Sequence, residues 1–248
     1  MTLENGYRTD LAYVHDAGYG GIARDAANRL VGELAASEIR EGTVVDLGCG
    51  SGILAQPIID AGYSVMGVDT SEAMVTLARQ RAPRATFHVT SFVSATLPTC
   101  VAVTAIGEVL NYGFDPANSE SSRASLFERV YDALVPGGLW LFDVAGPERA
   151  RAASHRSTAR GQDWRVVVET TFDPSTNVLT RRIQSVRHVG VEETRDIETH
   201  RLVLVDPAAL IAALDLVGFE TQLIEVYRTQ RLPPGVQAFL CRKPVKSA

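Results

Sequence analysis

The sequence predicts a doubly wound α/β fold, in which helices cover both faces of a mainly parallel sheet. Short apolar runs alternate with segments of helical periodicity between residues 43 and 144. Continuously apolar strands are typical of a sheet that is buried on both faces, and each parallel crossover places a helix over the sheet. A helical segment before this core and a group of strands after it are predicted as additions.

Five apolar runs are the predicted strands of the core: 43–47, 64–68, 85–89, 100–106 and 138–144. Helices are predicted between them at 53–61, 71–81 and 120–134. Before the first strand, residues 21–39 predict an amphipathic helix that follows a loop with aromatic residues.

The pattern changes after residue 144. Residues 145–163 predict a connection or a short irregular helix, because they lack clear periodicity. Three strand-like runs follow at 164–172, 178–189 and 194–204, and turn residues between them predict antiparallel pairing. A helix at 207–217, ended by Gly218, and strands at 219–226 and 236–241 resume the core pattern.

Three domains are therefore predicted. They are an N-terminal helical lid at 1–40, an α/β core at 41–145 and 205–248, and a connection with an antiparallel β insert at 146–204.

The composition is ordinary for a soluble globular protein, with 46% hydrophobic and 21% charged residues among 248. A net charge of −5 argues against a nucleic-acid partner. The three cysteines form no CxxC pair, so a reducing cytoplasm is expected. No signal-peptide pattern and no continuous apolar run of about 18 residues occur, so neither export nor a membrane partner is expected. The oligomeric state stays open.

The strongest chemical signal is the turn after the first predicted strand, which reads Asp46-Leu47-Gly48-Cys49-Gly50-Ser51-Gly52. Its glycines let the main chain turn sharply and approach a ligand without a Cβ in the way. A dinucleotide motif reads G-x-G-x-x-G, whereas here the last spacing is one residue shorter and Asp46 precedes the glycines. A carboxylate at that place repels a pyrophosphate and suits a cationic ammonium group.

Asp69 ends the second predicted strand. An acid about 20 residues after a glycine turn accepts the ribose hydroxyls in dinucleotide folds, so a bound nucleoside is predicted here too. The structural alternative is a tight turn at the glycines and a helix N-cap at Asp69 or Ser71.

Residues 46–52 resemble the glycine-rich motif of class I S-adenosylmethionine (AdoMet)-dependent methyltransferases, and Asp69 is similar to their ribose-binding acid. Residues 135–138 resemble the turn before that family's fifth strand, 103–112 the segment beside the methionine part of AdoMet, and 90–92 the adenine contact. Many members carry an acid where this chain has Ser91. The resemblance covers about 40–145 and 207–242, and the lid and insert look like those of glycine and sugar N-methyltransferases.

The resemblance implies a Rossmann-like methyltransferase core that transfers a methyl group from AdoMet to N or O of a small-molecule acceptor, by in-line displacement and without a metal. The product would be S-adenosylhomocysteine. The residues expected to bind the cofactor are Asp46, Gly48, Cys49, Gly50, Asp69, Thr70, Met74, Ser91, Phe92 and Ile106. The histidines show no metal-ligand spacing.

Two residues are candidate catalytic bases. Glu108 follows the fourth strand at the sheet edge where open α/β folds bind ligands, although it could equally form a cap or a salt bridge. His15 lies in the lid and titrates in the useful range, with a packing role as the alternative. A polar face of the insert, with Arg182, Gln184 and His188 on one strand and Glu198 and His200 similarly paired on the next, is a third candidate, and a solvated face is its alternative. The candidate substrate-binding residues are Tyr13, Tyr19, Asn111 and Tyr112.

Two other functions are kept as alternatives. A nicotinamide-dependent oxidoreductase would also use a glycine turn and Asp69, but the glycine spacing after Asp46 speaks against it. A non-catalytic AdoMet-binding protein would keep the cofactor motif without an acceptor pocket. Residues 13–19 and 164–204 are expected to close such a pocket above Asp46, Asp69 and Glu108.

Overall fold

The computed structural model describes residues 6–152 and 155–245. Residues 1–5, 153–154 and 246–248, which the predicted domain ranges include, lie outside the described residues. The helices are α1 (Thr9–Gly18), α2 (Gly21–Ala36), α3 (Ala55–Asp60), α4 (Glu72–Arg81), α5 (Glu120–Ala133), α6 (Glu148–Ala152) and α7 (Pro207–Val217). A short 3₁₀ turn lies at Val109–Asn111.

The strands are β1 (Thr43–Leu47), β2 (Ser64–Asp69), β3 (Thr86–Val89), β4 (Cys100–Ala105), β5 (Leu134–Ala145), β6 (Arg156–Arg160), β7 (Trp164–Asp173), β8 (Val178–Val189), β9 (Glu192–Val203), β10 (Glu220–Ile224) and β11 (Val236–Arg242). Seven of them form the central sheet in the order β10-β11-β5-β4-β1-β2-β3. All neighbours in this sheet pair parallel except β11, which is antiparallel to both β5 and β10.

Helices cover both faces of the central sheet. Alternate residues of each strand face opposite sides, so the sheet supplies two separate apolar clusters. On one face the sheet packs against Leu30 of α2 and Ile58 of α3, and on the other against Leu126 of α5 and Leu214 of α7. The predicted doubly wound α/β fold is confirmed, and β1, β8 and α7 have the predicted bounds.

Strands β6–β9 form a separate antiparallel sheet between β5 and α7. Helix α1 packs on this sheet, where Leu11 and Val14 contact an apolar cluster with Trp164, Val166 and Ile183. The same helix also contacts α4 and β9, so it lies between the insert and the core. No helix among the described residues is both long and apolar enough to cross a bilayer.

Two additions to the core differ from the prediction. Residues 9–18 form helix α1 rather than a loop, and residues 156–160 form an edge strand rather than a connection. The N-cap residue of α1, Arg8, makes no side-chain cap, so the usual sequence signal for a helix start is missing. Strand β6 is almost wholly exposed and carries arginine at both ends, a composition that protects sheet edges and hides the strand from an apolar pattern.

Candidate active site

The glycine turn after β1 brings bare main chain to the carboxyl edge of the sheet. Gly48 and Gly50 both have a positive φ, of 68° and 50°, in the left-handed region that favours glycine. A Cβ at Gly48 would lie 2.6 Å from a methyl carbon of Val109, so a side chain does not fit there. The turn is fixed to β2 by the amide of Cys49, which donates to the carbonyl oxygen of Val68 at 2.9 Å.

Asp69 joins the glycine turn to the start of α4. One carboxylate oxygen accepts the amide of Gly50 at 2.9 Å, and the other accepts the amide of Ser71 at 2.8 Å. Burial raises the pKa of Asp69 above its usual range, although these amides act in the opposite direction. A carboxylate offers about four acceptor positions. The acceptor positions that the amides leave free are available to a ligand in the cavity that Asp69 lines.

A cavity lies at this edge of the sheet. Most of its wall is apolar or main chain, as is typical of small-molecule sites. Eight of the ten predicted cofactor-binding residues line it: Gly48, Gly50, Asp69, Thr70, Met74, Ser91, Phe92 and Ile106. Of the predicted substrate-binding residues, Tyr112 lines it.

The other two predicted cofactor residues, Asp46 and Cys49, line an adjoining smaller cavity. The two cavities share four residues, His15, Gly48, Gly50 and Ile106, so they adjoin each other, and together they are called the cleft. Burial raises the pKa of Asp46 to about 7, and Thr104 donates a hydrogen bond of 2.6 Å to its Oδ1. A cation in the smaller cavity would favour the charged form of Asp46.

His15 lies where the two cavities meet. Its Nδ1 is buried and has no hydrogen-bond partner among the described residues. Burial lowers the pKa of the imidazole to about 4, so His15 is neutral near pH 7 and one ring nitrogen is free to accept a hydrogen bond. This is the placement expected of the predicted base, but a pKa near 4 also makes His15 a weak one.

Glu108 does not line either cavity. Its two carboxylate oxygens accept hydrogen bonds from the guanidinium of Arg181 at 2.8 and 3.1 Å, and Arg149 donates a third at 3.2 Å. Burial alone would raise the pKa of Glu108, but the two arginines bring it below its usual range. These contacts correspond to the salt-bridge alternative and do not support the predicted role as a base.

Three predicted substrate-binding residues lie outside the cleft wall. Asn111 is fully buried and its side chain binds the main chain of Ala145 and Val203, which joins the core to the insert. Tyr13 donates to Asp163 at 2.7 Å, and Tyr19 is 45% exposed. These positions give the three residues packing and surface roles.

Several cleft residues were missed by the sequence reasoning. Tyr7, Phe114 and Asp115 line the cavity but belong to segments without a motif. Asp143 is buried at the end of β5 and accepts the amides of Gly107 and Glu108, so it shapes the loop beside the cleft. An acid at the carboxyl end of a predicted strand is the signal that identified Asp69, and it could have identified Asp143.

The register places the two candidate polar groups of the insert on opposite faces of its sheet. Arg182 is an exposed residue that pairs with Glu169. Directly opposite residues of paired strands point to the same face, and the register places Arg181 opposite His200 and Ile183 opposite Glu198. The buried polar face of the insert therefore carries Arg181, Glu198 and His200. Among the described residues, no cluster of potential ligands could hold a metal ion.

Comparison with known proteins finds methyltransferases that are similar to the core. Residues 44–138 match the family described as Methyltransferase domain. The chain is 29% identical to the trans-aconitate 2-methyltransferase of Paracidovorax citrulli over 69% of this chain and 64% of that protein. The chain spans less than two thirds of the length of the curated relatives it matches first.

Solved structures share the fold over nearly the whole chain. An S-adenosylmethionine-dependent methyltransferase from Clostridium acetobutylicum ATCC 824 has a TM-score of 0.79 at 13% identity, covering 94% of this chain and 97% of its own. CalS10, an amino pentose methyltransferase from Micromonospora echinaspora solved with bound AdoMet, has a TM-score of 0.72 at 20% identity, covering 93% and 96%. The predicted resemblance to class I AdoMet-dependent methyltransferases is confirmed.

Proposed function

We propose that this protein transfers a methyl group from AdoMet to a small-molecule acceptor. The proposal starts from the match of residues 44–138 to a methyltransferase domain and from the fold that the chain shares with solved methyltransferases. The observation that carries the proposal is the cleft, in which the glycine turn borders both cavities, Asp69 lines the larger one and Asp46 lines the smaller one. This order of groups fits a nucleoside joined to an amino acid.

The cleft residues fit the parts of AdoMet one by one. The free acceptor positions of Asp69 suit the ribose hydroxyls, and Ser91 and Phe92 lie on the cavity wall where the adenine would be held. Main chain at Gly48 and Gly50 suits the methionine part, whose ammonium group would lie near Asp46. When bound, AdoMet supplies a methyl group that is already activated on a sulfonium. The protein then has to hold the acceptor in line and exclude water.

The charges around the cavity favour an acceptor without anionic groups. No lysine or arginine is among the described residues that line the cavity, whereas two acids, Asp69 and Asp115, line it. Arg181, which hydrogen-bonds to the wall residue Tyr112, is paired with Glu108, as is Arg149. Rings of Tyr7, Tyr112 and Phe114 form an aromatic wall, and such faces attract cations. We infer that the acceptor is neutral or carries an amine.

Binding of S-adenosylhomocysteine tests the proposed function. At about 100 times its dissociation constant, this ligand should stabilise the protein by about 2.7 kcal/mol, which corresponds to a rise in Tm of about 5 to 10 °C. NAD at the same concentration should leave Tm unchanged. A shift with NAD alone would favour the oxidoreductase alternative, and no shift with either ligand would remove the proposal.

Methyl transfer from labelled AdoMet tests the inferred acceptor class. Amino sugars and other small amines should be methylated with a kcat/KM at least about 100-fold above that of a tricarboxylate such as trans-aconitate, because like charges in a closed site cost several kcal/mol. Preferred transfer to the tricarboxylate would contradict the inference about charge.

A His15→Phe variant tests a contact between His15 and the acceptor. It should bind S-adenosylhomocysteine like the wild type and transfer the methyl group more slowly, and an unchanged transfer rate would remove His15 from the acceptor site.

A further inference from the structure

The start of the described chain forms part of the cleft wall. Gly6 and Tyr7 both line the cavity, and Tyr7 lies just before the N-cap residue of α1. The φ of Tyr7 is 55°, a left-handed conformation that is rare for an aromatic residue. Such a conformation persists only where surrounding contacts impose it.

One carboxylate of the insert holds the segment. Glu198 of β9 accepts the backbone amide of Tyr7 at 2.6 Å on one oxygen and that of Arg8 at 2.8 Å on the other. The Nε2 of His200 lies 2.9 Å from the first oxygen and completes the set of donors. Glu198 is only 3% exposed, so its charge would be costly to bury without these three donors.

The opposite side of the segment is attached to the cofactor-binding part of the core. The carbonyl oxygen of Tyr7 accepts the hydroxyl of Ser71 at 2.7 Å, and the amide of Ser71 donates to Asp69. The hydroxyls of Tyr7 and Tyr112 are 2.9 Å apart across the cavity wall. Tyr7 therefore connects Glu198 of the insert to Asp69, the proposed ribose-binding residue.

We propose that Glu198 is a positioning residue for the cofactor, which acts by holding Tyr7 in the wall of the cleft. The inference rests on the proposed function. Helix α1 has no side-chain cap of its own, and Glu198 holds the two residues just before the helix from a strand about 190 residues away. Loss of this carboxylate leaves the two amides without their acceptor and releases the segment from the cleft. The insert thus controls cofactor binding without touching the cofactor.

A Glu198→Gln variant tests this role, because glutamine keeps the shape but loses the charge and turns one acceptor into a donor. We expect the Kd for S-adenosylhomocysteine, measured by calorimetry, to rise about tenfold, in keeping with the loss of hydrogen bonds to a charged group. The KM for AdoMet should rise similarly while kcat changes less. Amides of residues 7–20 should exchange faster with solvent, and those of β1 and β4 should not.

Glu169→Gln is the matched control. Glu169 is a partly exposed glutamate on β7 of the same sheet, and its ion pair with Arg182 lies on the surface. This variant should bind S-adenosylhomocysteine like the wild type. A folded Glu198→Gln variant with an unchanged Kd would overturn the role of Glu198, whereas absence of binding by the wild type would instead overturn the proposed function.

The wild-type protein provides a second test that needs no variant. In the ligand-free protein, the amides of Tyr7 and Arg8 should exchange more slowly than those of the first turn of α1, which have no helical acceptor. Slow exchange at both positions supports the anchor on Glu198. Exchange as fast as in the first turn would mean that the segment is not held, and the proposal would fail.

Discussion

Replacing Asp69 with alanine is expected to raise the Kd for AdoMet by about 100-fold or more. Two ribose hydroxyls would lose a charged acceptor, and hydrogen bonds to charged groups contribute about 1.5 to 3 kcal/mol each. The substitution also removes the acceptor of two hydrogen bonds, which the amides of Gly50 and Ser71 donate to Asp69. The glycine turn would then lose its link to α4. Calorimetry with AdoMet or S-adenosylhomocysteine on the folded variant measures the effect.

Two further variants show whether the effect belongs to the carboxylate. Asp69→Asn keeps one oxygen acceptor and should fall between the wild type and Asp69→Ala in affinity. Asp60→Ala removes an acid at the end of α3 that is exposed and paired with Arg84, so it should leave the affinity unchanged. An unchanged affinity in folded Asp69→Ala would remove Asp69 from the site.

The α/β core could be predicted closely because its signals are local. Continuous apolar runs identified β1 to β5. A proline at the start of α7, Pro207, and a glycine just after its end, Gly218, marked the two ends of that helix. Asp46 and Asp69 were found for the same reason, since each lies at the carboxyl end of a predicted strand. Ligands of open α/β sheets bind at that edge, so the sequence alone is enough to predict that an acid there contacts the ligand.

The acceptor side could not be predicted because its contacts are not local. Glu108 was considered as a base, but its partner Arg181 is 73 residues away and only the register of β8 brings it close. The anchor of α1 on Glu198 joins residues even farther apart. Helical or strand periodicity predicts which face of an element is buried, but it does not predict which charged group of another element contacts that face.

Replacing Gly50 with valine is expected to abolish cofactor binding in a protein that still folds. The φ of Gly50 is 50°, and a Cβ built there would have only the sulfur of Met74, at 3.9 Å, within 4 Å. The side chain of valine would therefore project into the cleft that the main chain now borders. Backbone strain would add a loss of stability of about 1 to 3 kcal/mol.

Gly62→Val separates the strain from the steric block. Gly62 also has a positive φ, of 99°, and a Cβ there meets nothing within 4 Å, but it lies after α3 and outside the cleft. Both variants should lose Tm by a comparable amount, because each places a β-branched residue in a left-handed conformation. Only Gly50→Val should show no calorimetric signal with S-adenosylhomocysteine. Wild-type affinity in folded Gly50→Val would mean that the cofactor binds away from the glycine turn, and equal losses of affinity in both variants would mean that strain alone is responsible.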